Sequence, residues 1–191
     1  MLTHLIQHLE RYIPVSDSLR ESIQKICKEI IVPKGTFLHQ PGKICTHTYF
    51  IHTGLLRIYY QKDDKEITDN FAAEGEWITS VYSFMRNIPD NFFIQALEPC
   101  ELIAIRVEDL ENCFATYHEM ERFGRNLISS YFLEHSERSL SFKFFSAKER
   151  YLYFNKTSKS KVSRVPLGML ASYLGITQET LSRIRAEKDP F

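Results

Sequence analysis

Five polar residues near the carboxyl end of the chain have side chains suited to contact with nucleic acid: Gln178, Glu179, Ser182, Arg183 and Arg185. The apolar positions between them leave these side chains on the outward face of one helix. Amide, carboxylate and guanidinium groups bond base edges, and hydroxyl groups and arginine also bond phosphate oxygens. The chemistry that this pattern predicts is recognition of double-stranded DNA through a groove.

The segment that must position these side chains is Leu167–Arg185. Leu170, Ala171 and Leu174 recur at helical spacing and predict the buried face of a first helix. Gly175 follows directly, and glycine accepts the left-handed backbone of a tight turn without the penalty that a Cβ imposes. A helix followed by such a turn is the first half of a helix-turn-helix.

A second helix is predicted from Thr177 to Lys188. Thr177 is a favourable N-cap, and Leu181 and Ile184 form the apolar face of this helix. Ile176 fills the angle between the two helices. Because the glycine and the apolar positions agree in register, the pattern favours a DNA-binding helix-turn-helix over a plain helical hairpin.

The composition is typical of a globular protein. The chain has 191 residues, 43% hydrophobic and 25% charged, and no apolar run approaches the roughly 20 residues that span a bilayer. The N-terminus also lacks the basic start and continuous apolar core of a secretory signal. We therefore expect a cytoplasmic protein without membrane contact, beginning with a short amphipathic helix through Leu2, Leu5, Ile6 and Leu9.

The four cysteines are widely scattered and form no close pair of the kind that metal and iron–sulfur sites use. They are Cys27, Cys45, Cys100 and Cys113. We expect reduced, mostly buried thiols, and we expect neither a metal nor another cofactor.

Charge is segregated along the chain although the formal net charge is zero. Residues 138–191 contain 11 Lys plus Arg against 4 Asp plus Glu, a balance of +7, and residues 1–137 carry −7. Positive charge on the segment with the helix-turn-helix is what attraction to phosphate requires. The asymmetry predicts two domains, of which the acidic one faces away from DNA.

The N-terminal part is predicted to be helical at first and then rich in short strands. Ser18–Ile31 has apolar residues at helical spacing, and Val32-Pro33 should end that helix. From Pro33 to Arg106, turn residues separate short segments rich in Phe, Tyr, Ile and Thr, which indicates a closed or rolled antiparallel sheet. The predicted strands are FLHQ, TYFIHTG, LLRIYYQ, EITDNFA, FFIQALE and CELIAIR.

After Val107 the pattern predicts helices again. Glu108–Phe114 forms one or two turns, and a long helix runs from Thr116 to about Leu140. A further helix covers Phe142–Asn155. The basic segment Lys156–Arg164 is expected to be a mobile loop.

The long helix has an apolar stripe with near-heptad spacing, which favours a partner helix from a second copy of the chain. Packing of the stripe within one chain is the alternative. Two helix-turn-helix units on one DNA site need a two-fold axis, so we expect a homodimer. The stripe runs through Met120, Phe123, Leu127, Ile128, Tyr131 and Phe132, and the first five of these are the expected interface.

This order of elements resembles the Crp–Fnr family of bacterial transcription regulators over nearly the whole chain. The similar elements are GLLRIYY beginning at Gly54, Gly75-Glu76-Trp77-Ile78, and LASYLGITQETLSRIR. The resemblance implies an α+β fold in which residues 1–115 form an antiparallel β-roll of the cyclic-nucleotide-binding, jelly-roll type with N-terminal helices. Residues 116–140 would be a connecting and dimerisation helix, and residues 141–191 a winged-helix-like helix-turn-helix domain. DNA and RNA polymerase are the implied partners.

The resemblance also implies roles for single residues of the second helix. Glu179 matches a family glutamate that accepts a hydrogen bond from cytosine, and Arg183 matches an arginine that pairs with guanine. Gln178 departs from the more common arginine, so the half-site should differ there. The expected DNA-binding residues are Thr177, Gln178, Glu179, Thr180, Ser182, Arg183 and Arg185.

The resemblance further implies a ligand pocket in the roll, although not for a cyclic nucleotide. The family glutamate that binds the ribose corresponds to Ser80, and the arginine triplet that holds the cyclic phosphate falls near Asp90-Asn91-Phe92. An aspartate in that place would repel the phosphate strongly in a shielded site. We therefore expect no useful affinity for cAMP or cGMP, and the N-terminal cysteine group of the iron–sulfur branch is absent.

A pocket for a different small molecule is expected at the junction of the roll and the long helix, with a filled core as the alternative. The residues expected to line it are Trp77, Thr79, Ser80, Tyr82, Phe84, Phe123 and Leu127.

Two other functions compete with a regulator. His39, His47 and His52 would suit a metal-dependent barrel enzyme, but they lack the His-x-His spacing of such sites. No Ser–His–Asp order, glycine-rich phosphate loop or HExxH motif supports catalysis, so we expect no enzyme. The other candidate is an effector-binding module with weak or lost DNA binding, because few residues follow Arg185 where many family members continue into a β-wing.

Overall fold

The computed structural model describes residues 1–187 as nine helices and eight strands. The helices are α1 (Leu2–Glu10), α2 (Asp17–Ile26), α3 (Val81–Arg86), α4 (Val107–Thr116), α5 (His118–Phe144), α6 (Ala147–Thr157), α7 (Lys159–Val162), α8 (Leu167–Leu174) and α9 (Gln178–Ala186). The strands are β1 (Cys27–Val32), β2 (Phe37–His39), β3 (His47–Thr53), β4 (Leu56–Lys62), β5 (Lys65–Ala72), β6 (Trp77–Ile78), β7 (Phe92–Ala96) and β8 (Cys100–Arg106).

Two antiparallel four-stranded sheets form the roll that the sequence predicted. One sheet has the strand order β1-β8-β3-β6, and the other has the order β2-β7-β4-β5. Alternate side chains of the facing strands, among them Ile51, Leu56, Ile94 and Leu102, fill the space between the sheets and are fully buried.

Helices cover the outer surface of each sheet as well. Phe50 and Ile103 of the first sheet pack with Leu5 of α1, with α2 and α4, and with the start of α5. Phe71 of the second sheet packs with Leu170 and other residues of the C-terminal helices. The roll therefore lies between two helical layers, and the helix-turn-helix belongs to one of them.

The predicted helix Ser18–Ile31 is wrong beyond Ile26. Residues Cys27–Val32 form β1, which pairs with β8 in a continuous antiparallel register from Cys27↔Ile105 to Val32↔Cys100. Local periodicity did not predict this strand because its partner lies far along the chain and tertiary pairing overrides helix propensity. The two-residue strand β6 and the short helix α3 were also not predicted.

A capping box divides the predicted helix Phe142–Asn155 in two. Helix α5 continues to Phe144, and the backbone of Phe145 is extended. Ser146 Oγ then accepts a hydrogen bond from the Glu149 amide, while the Glu149 carboxylate accepts one from the Ser146 amide at 2.7 Å. This reciprocal pair starts α6 as a new helix.

The basic segment Lys156–Arg164 is also not the mobile loop that its composition predicted. Helix α6 extends to Thr157, and Lys159–Val162 forms α7. The side chain of Lys161 is only 7% exposed, and its Nζ donates hydrogen bonds to the Phe71 carbonyl oxygen and to the carboxylate of Glu76. These hydrogen bonds compensate for the burial of the Lys161 ammonium group, and they attach the segment Lys156–Arg164 to the roll.

No helix within residues 1–187 combines the length and the apolar character needed to cross a membrane. Residues 145–187 of the C-terminal segment contain helices and turns only, so the predicted winged-helix character is not seen in this part of the chain.

Candidate nucleic-acid interface

The turn between α8 and α9 has the geometry that its glycine predicted. Gly175 has φ 66° and ψ 36°, and the amides of Gly175 and Ile176 donate to the carbonyl oxygens of Ser172 and Ala171 at 3.1 and 3.0 Å. A Cβ at position 175 would lie 2.8 Å from the Phe142 ring. The left-handed backbone favours glycine at this position, and a side chain here would also have to displace the Phe142 ring.

Helix α9 presents the polar side chains outward. Thr177 Oγ1 caps the helix by accepting a hydrogen bond from the Thr180 amide at 3.2 Å, and Leu181 and Ile184 are buried against the rest of the unit. The five remaining polar side chains of the predicted set, Gln178, Glu179, Ser182, Arg183 and Arg185, are all exposed. The helix ends at Ala186, and Lys188 of its predicted end lies outside the described residues.

The charged groups of this exposed face are available for a ligand. Hydrogen bonds from its own amide and from the Thr177 side chain lower the pKa of Glu179, so its carboxylate is an ionised acceptor. Within residues 1–187, Arg183 and Arg185 form no ion pair. Helix α9 therefore offers one anionic acceptor and two cationic donors on its exposed surface.

Other cations of the basic segment are bound to acidic groups of the roll. Lys161 pairs with Glu76, and Arg164 pairs with both Glu74 and Glu98, reaching the two oxygens of Glu74 at 2.8 and 2.9 Å. Burial alone would raise the pKa of Glu74, but the hydrogen bonds from Arg164 and the Gly54 amide lower it to about 2. Part of the positive charge that the sequence assigned to DNA thus holds the C-terminal helices against the roll.

Ser172 fixes the first helix of the unit directly to the roll. Its Oγ donates to the Glu66 carbonyl oxygen at 2.8 Å and accepts from the Thr68 amide at 2.9 Å. Arg57 lies on β4, and its side chain is 1% exposed. It bonds Thr68 Oγ1 and pairs with Glu66, and both of these residues lie on the neighbouring strand β5. We call the contacts made by Lys161, Arg164 and Ser172 with the roll the latch.

Asp90, which the sequence resemblance assigns to the place of a cyclic phosphate, is the centre of a buried hydrogen-bond network. Asp90 accepts hydrogen bonds from Ser80 Oγ, from the Phe92 amide at 3.0 Å, and from His39, whose Nε2 is 2.8 Å away. Burial alone would raise the pKa of Asp90, but these hydrogen bonds lower it below its usual value. The sequence predicted neither the hydrogen bond between Ser80 and Asp90 nor the contact with His39.

The predicted effector pocket is only partly assembled. Trp77, Phe123 and Leu127 line a cavity of about 200 Å³. Thr79, Ser80, Tyr82 and Phe84 do not line it: Ser80 bonds Asp90, Tyr82 is 57% exposed, and Phe84 packs at the edge of the core. Sequence reasoning missed His8, Tyr12 and Tyr131, which do line this cavity. The N-terminal helix had no predicted partner, and Tyr131 was assigned to the dimer interface instead.

The three histidines of the barrel-enzyme alternative do not converge. His39 bonds Asp90, His47 contacts Thr46 Oγ1, and His52 lies 3.0 Å from a ring nitrogen of His4. Within residues 1–187, no three or more metal-binding side chains are grouped as a site.

The apolar stripe of α5 is divided between two surfaces. Met120 and Phe123 are buried in their own chain, and Leu127 and Tyr131 are partly buried there, so these four positions are not a free dimer surface. The exposed apolar side chains lie on another face and further along the helix. They are Ile128, Phe132, Leu133, Leu140, Phe142 and Phe144.

Comparisons with known proteins agree with this architecture. Residues 29–117 match the family model described as cyclic nucleotide-binding domain. The solved structures with a similar fold include FixK2 from Bradyrhizobium japonicum, with a TM-score of 0.75, 16% identity, and coverage of 85% of this chain and 84% of that one. Comparison with curated proteins gives no match.

Two further solved structures are similar to this chain over most of its length. A putative transcriptional regulator of the crp/fnr family from Eubacterium rectale has a TM-score of 0.70 and 21% identity, covering 91% of this chain and 85% of that one. The c-di-GMP-responsive global regulator CLP from Xanthomonas campestris has a TM-score of 0.68 and 20% identity, covering 86% and 87%. The chain therefore has a Crp/Fnr-like fold, and the resemblance predicted from the sequence is confirmed at that level.

Proposed function

We propose that the chain is a sequence-specific DNA-binding transcription regulator that acts as a homodimer on a palindromic site. The observation that carries this proposal is the exposed face of α9, which presents Glu179, Arg183 and Arg185. This helix is capped by Thr177 and follows a tight turn at Gly175, as in a helix-turn-helix. The regulators with similar folds support a role in transcription. Such a protein would work in the cytoplasm, beside RNA polymerase.

The homodimer is supported by the exposed stripe of α5. Phe132 is 70% exposed, and Ile128, Leu133 and Leu140 are more than half exposed, although all four are large apolar side chains on one helix. Apolar surface of this kind marks an interface with a partner. A two-fold axis along α5 would place two α9 helices in successive major grooves, with half-site centres about 34 Å apart.

Selection of bound sequences from a random DNA pool tests the proposal. We expect enrichment of an inverted repeat whose half-sites contain guanine, since arginine pairs with guanine in the major groove. The Arg183→Ala variant, selected in parallel, should lose preference at one position of each half-site. Absence of any enrichment at low ionic strength would instead favour an effector-binding module with weak or lost DNA binding.

A further inference from the structure

An aromatic cavity lies between α1, the start of β6 and α5. Its volume is about 200 Å³, and five of its lining residues have aromatic rings: His8, Tyr12, Trp77, Phe123 and Tyr131. Ring centroids are separated by 5.3 Å between His8 and Tyr12, 5.8 Å between Tyr12 and Phe123, and 6.1 Å between Phe123 and Trp77. The rings therefore form one contiguous wall.

The charged groups of the lining are all acidic. Glu76 and Glu134 line the cavity, whereas no lysine or arginine does. Glu76 is already paired with Lys161, but Glu134 forms no ion pair within residues 1–187. Desolvation raises the pKa of Glu134, and burial lowers the pKa of His8 to about 4, so this histidine is uncharged at neutral pH.

Two ring nitrogens at this cavity lack partners. Trp77 Nε1 and His8 Nε2 are buried and have no hydrogen-bond partner within residues 1–187, and each of these residues is 7% exposed. An unpaired buried polar group costs free energy that a ligand atom would recover. The hydroxyl of Tyr131 is not available for this, because it bonds both the amide and the carbonyl oxygen of Trp77, at 2.9 and 2.8 Å.

We propose that this cavity binds a small organic cation, an ammonium or quaternary ammonium compound with an adjacent hydroxyl or carbonyl oxygen. The rings of Trp77, Tyr12 and Phe123 would attract a cation through their quadrupoles, and Glu134 supplies a carboxylate that is in no ion pair within residues 1–187. The ligand oxygen would pair with the ring nitrogen of Trp77 or His8, and the side chain would have to turn because both nitrogens are buried. Ser80 and Asp90 do not line this cavity, so the site is separate from the cyclic-phosphate position.

Fluorescence of Trp77 is a direct probe of this site, because it is the only tryptophan in the chain. The purified full chain is titrated, without DNA, with choline, with benzyltrimethylammonium, and with 3,3-dimethylbutan-1-ol, which has the shape of choline but no charge. We expect saturable fluorescence changes with both cations and about tenfold weaker binding of the uncharged alcohol. Because DNA is absent, the result does not depend on the proposed function.

Matched variants locate the site. Glu134→Gln should weaken choline binding about tenfold, and Tyr12→Leu, which keeps an apolar side chain but removes a ring, should weaken it several-fold. Glu121→Gln, an exposed position of α5 outside the cavity, should bind as the unaltered chain does. The proposal is overturned by equal binding of the alcohol, by unchanged binding in both cavity variants, or by no saturable change with either cation at millimolar concentrations.

Discussion

The Asp90 carboxylate determines what the roll excludes. It is held by Ser80, His39 and the Phe92 amide, and hydrogen bonds to it keep its pKa low, so it is an ionised group at the place that the sequence resemblance assigns to a cyclic phosphate. Two anions in one shielded site repel each other. We expect isothermal titration calorimetry with cAMP to give no binding, with a cyclic-nucleotide-binding protein as the positive control. Micromolar affinity would contradict this assignment.

Arg183 is the residue whose loss should change sequence preference most. Its side chain is exposed on α9, and a guanidinium forms two hydrogen bonds with guanine that no neutral residue reproduces. Arg183→Ala should cost about 1–3 kcal/mol of binding to the selected site and relax one position of it. Binding isotherms on single-base variants of the site measure this. Arg106→Ala, an exposed arginine of the roll, is the control, and a uniform loss over all sequences would make Arg183 a phosphate contact.

His8 should make stability depend on pH. Burial, together with Arg11 and His4, lowers its folded-state pKa from 6.5 to about 4. The neutral ring is therefore favoured by folding, and its stabilising contribution is complete above pH 6.5 and lost as the pH falls toward 4. Urea unfolding across this range should show a falling free energy of unfolding.

His8→Phe is the matched variant, because the ring of His8 lies 5.0 Å from the Phe50 ring and 5.3 Å from the Tyr12 ring, and phenylalanine keeps such packing. We expect the decrease in stability to be smaller in this variant. His118→Phe, at an exposed position, should keep the decrease of the unaltered chain. An identical pH dependence in all three proteins would show that His8 is not the titrating group.

Structural elements that depend on residues close by in the sequence could be predicted from the sequence. Elements that depend on contacts with distant residues could not. The turn at Gly175 and the Thr177 cap depend on a few adjacent residues, and both are as predicted. Strand β1 depends on β8, and the burial of Lys161 depends on Glu76 and Phe71, so local periodicity and composition gave the wrong element in both places. The cavity was missed in part for the same reason, since α1 and α5 meet only in the folded chain.

Helix α5 should hold the dimer through its exposed face. Phe132→Asp puts a charge into an apolar interface and should cost about 2 kcal/mol or more of dimerisation free energy, which shifts the protein toward monomer. Sedimentation velocity at several concentrations measures the shift. Because Phe132 is 70% exposed in one chain, the fold should be unaffected.

Ile31→Asp is the control for this variant. Ile31 is 72% exposed on β1, so it introduces the same charge at a similarly exposed apolar position away from α5. This variant should remain dimeric. A Phe132→Asp protein that sediments as the unaltered chain does would place the interface elsewhere.

On the scale of the whole molecule, the latch makes the roll and the helix-turn-helix one folding unit. Lys161→Ala removes hydrogen bonds to Glu76 and to the Phe71 carbonyl oxygen, and we expect a loss of about 2–3 kcal/mol in the free energy of unfolding. Hydrogen exchange in α8 should become faster, since this helix would separate from the roll more often. Lys159→Ala changes an exposed lysine of the same short helix and should leave both measurements unchanged. Unaltered exchange in α8 of the Lys161 variant would show that the latch does not hold this helix.

Ser172 has a second consequence, because β5 is the outermost strand of its sheet. The Thr68 amide and the Glu66 carbonyl oxygen would otherwise be open to pairing with a strand from another molecule, and Ser172 occupies both. Any movement that lifts α8 from the roll therefore uncovers a template for aggregation. Ser172 therefore links the freedom of the helix-turn-helix to the solubility of the protein, because more of one should mean less of the other.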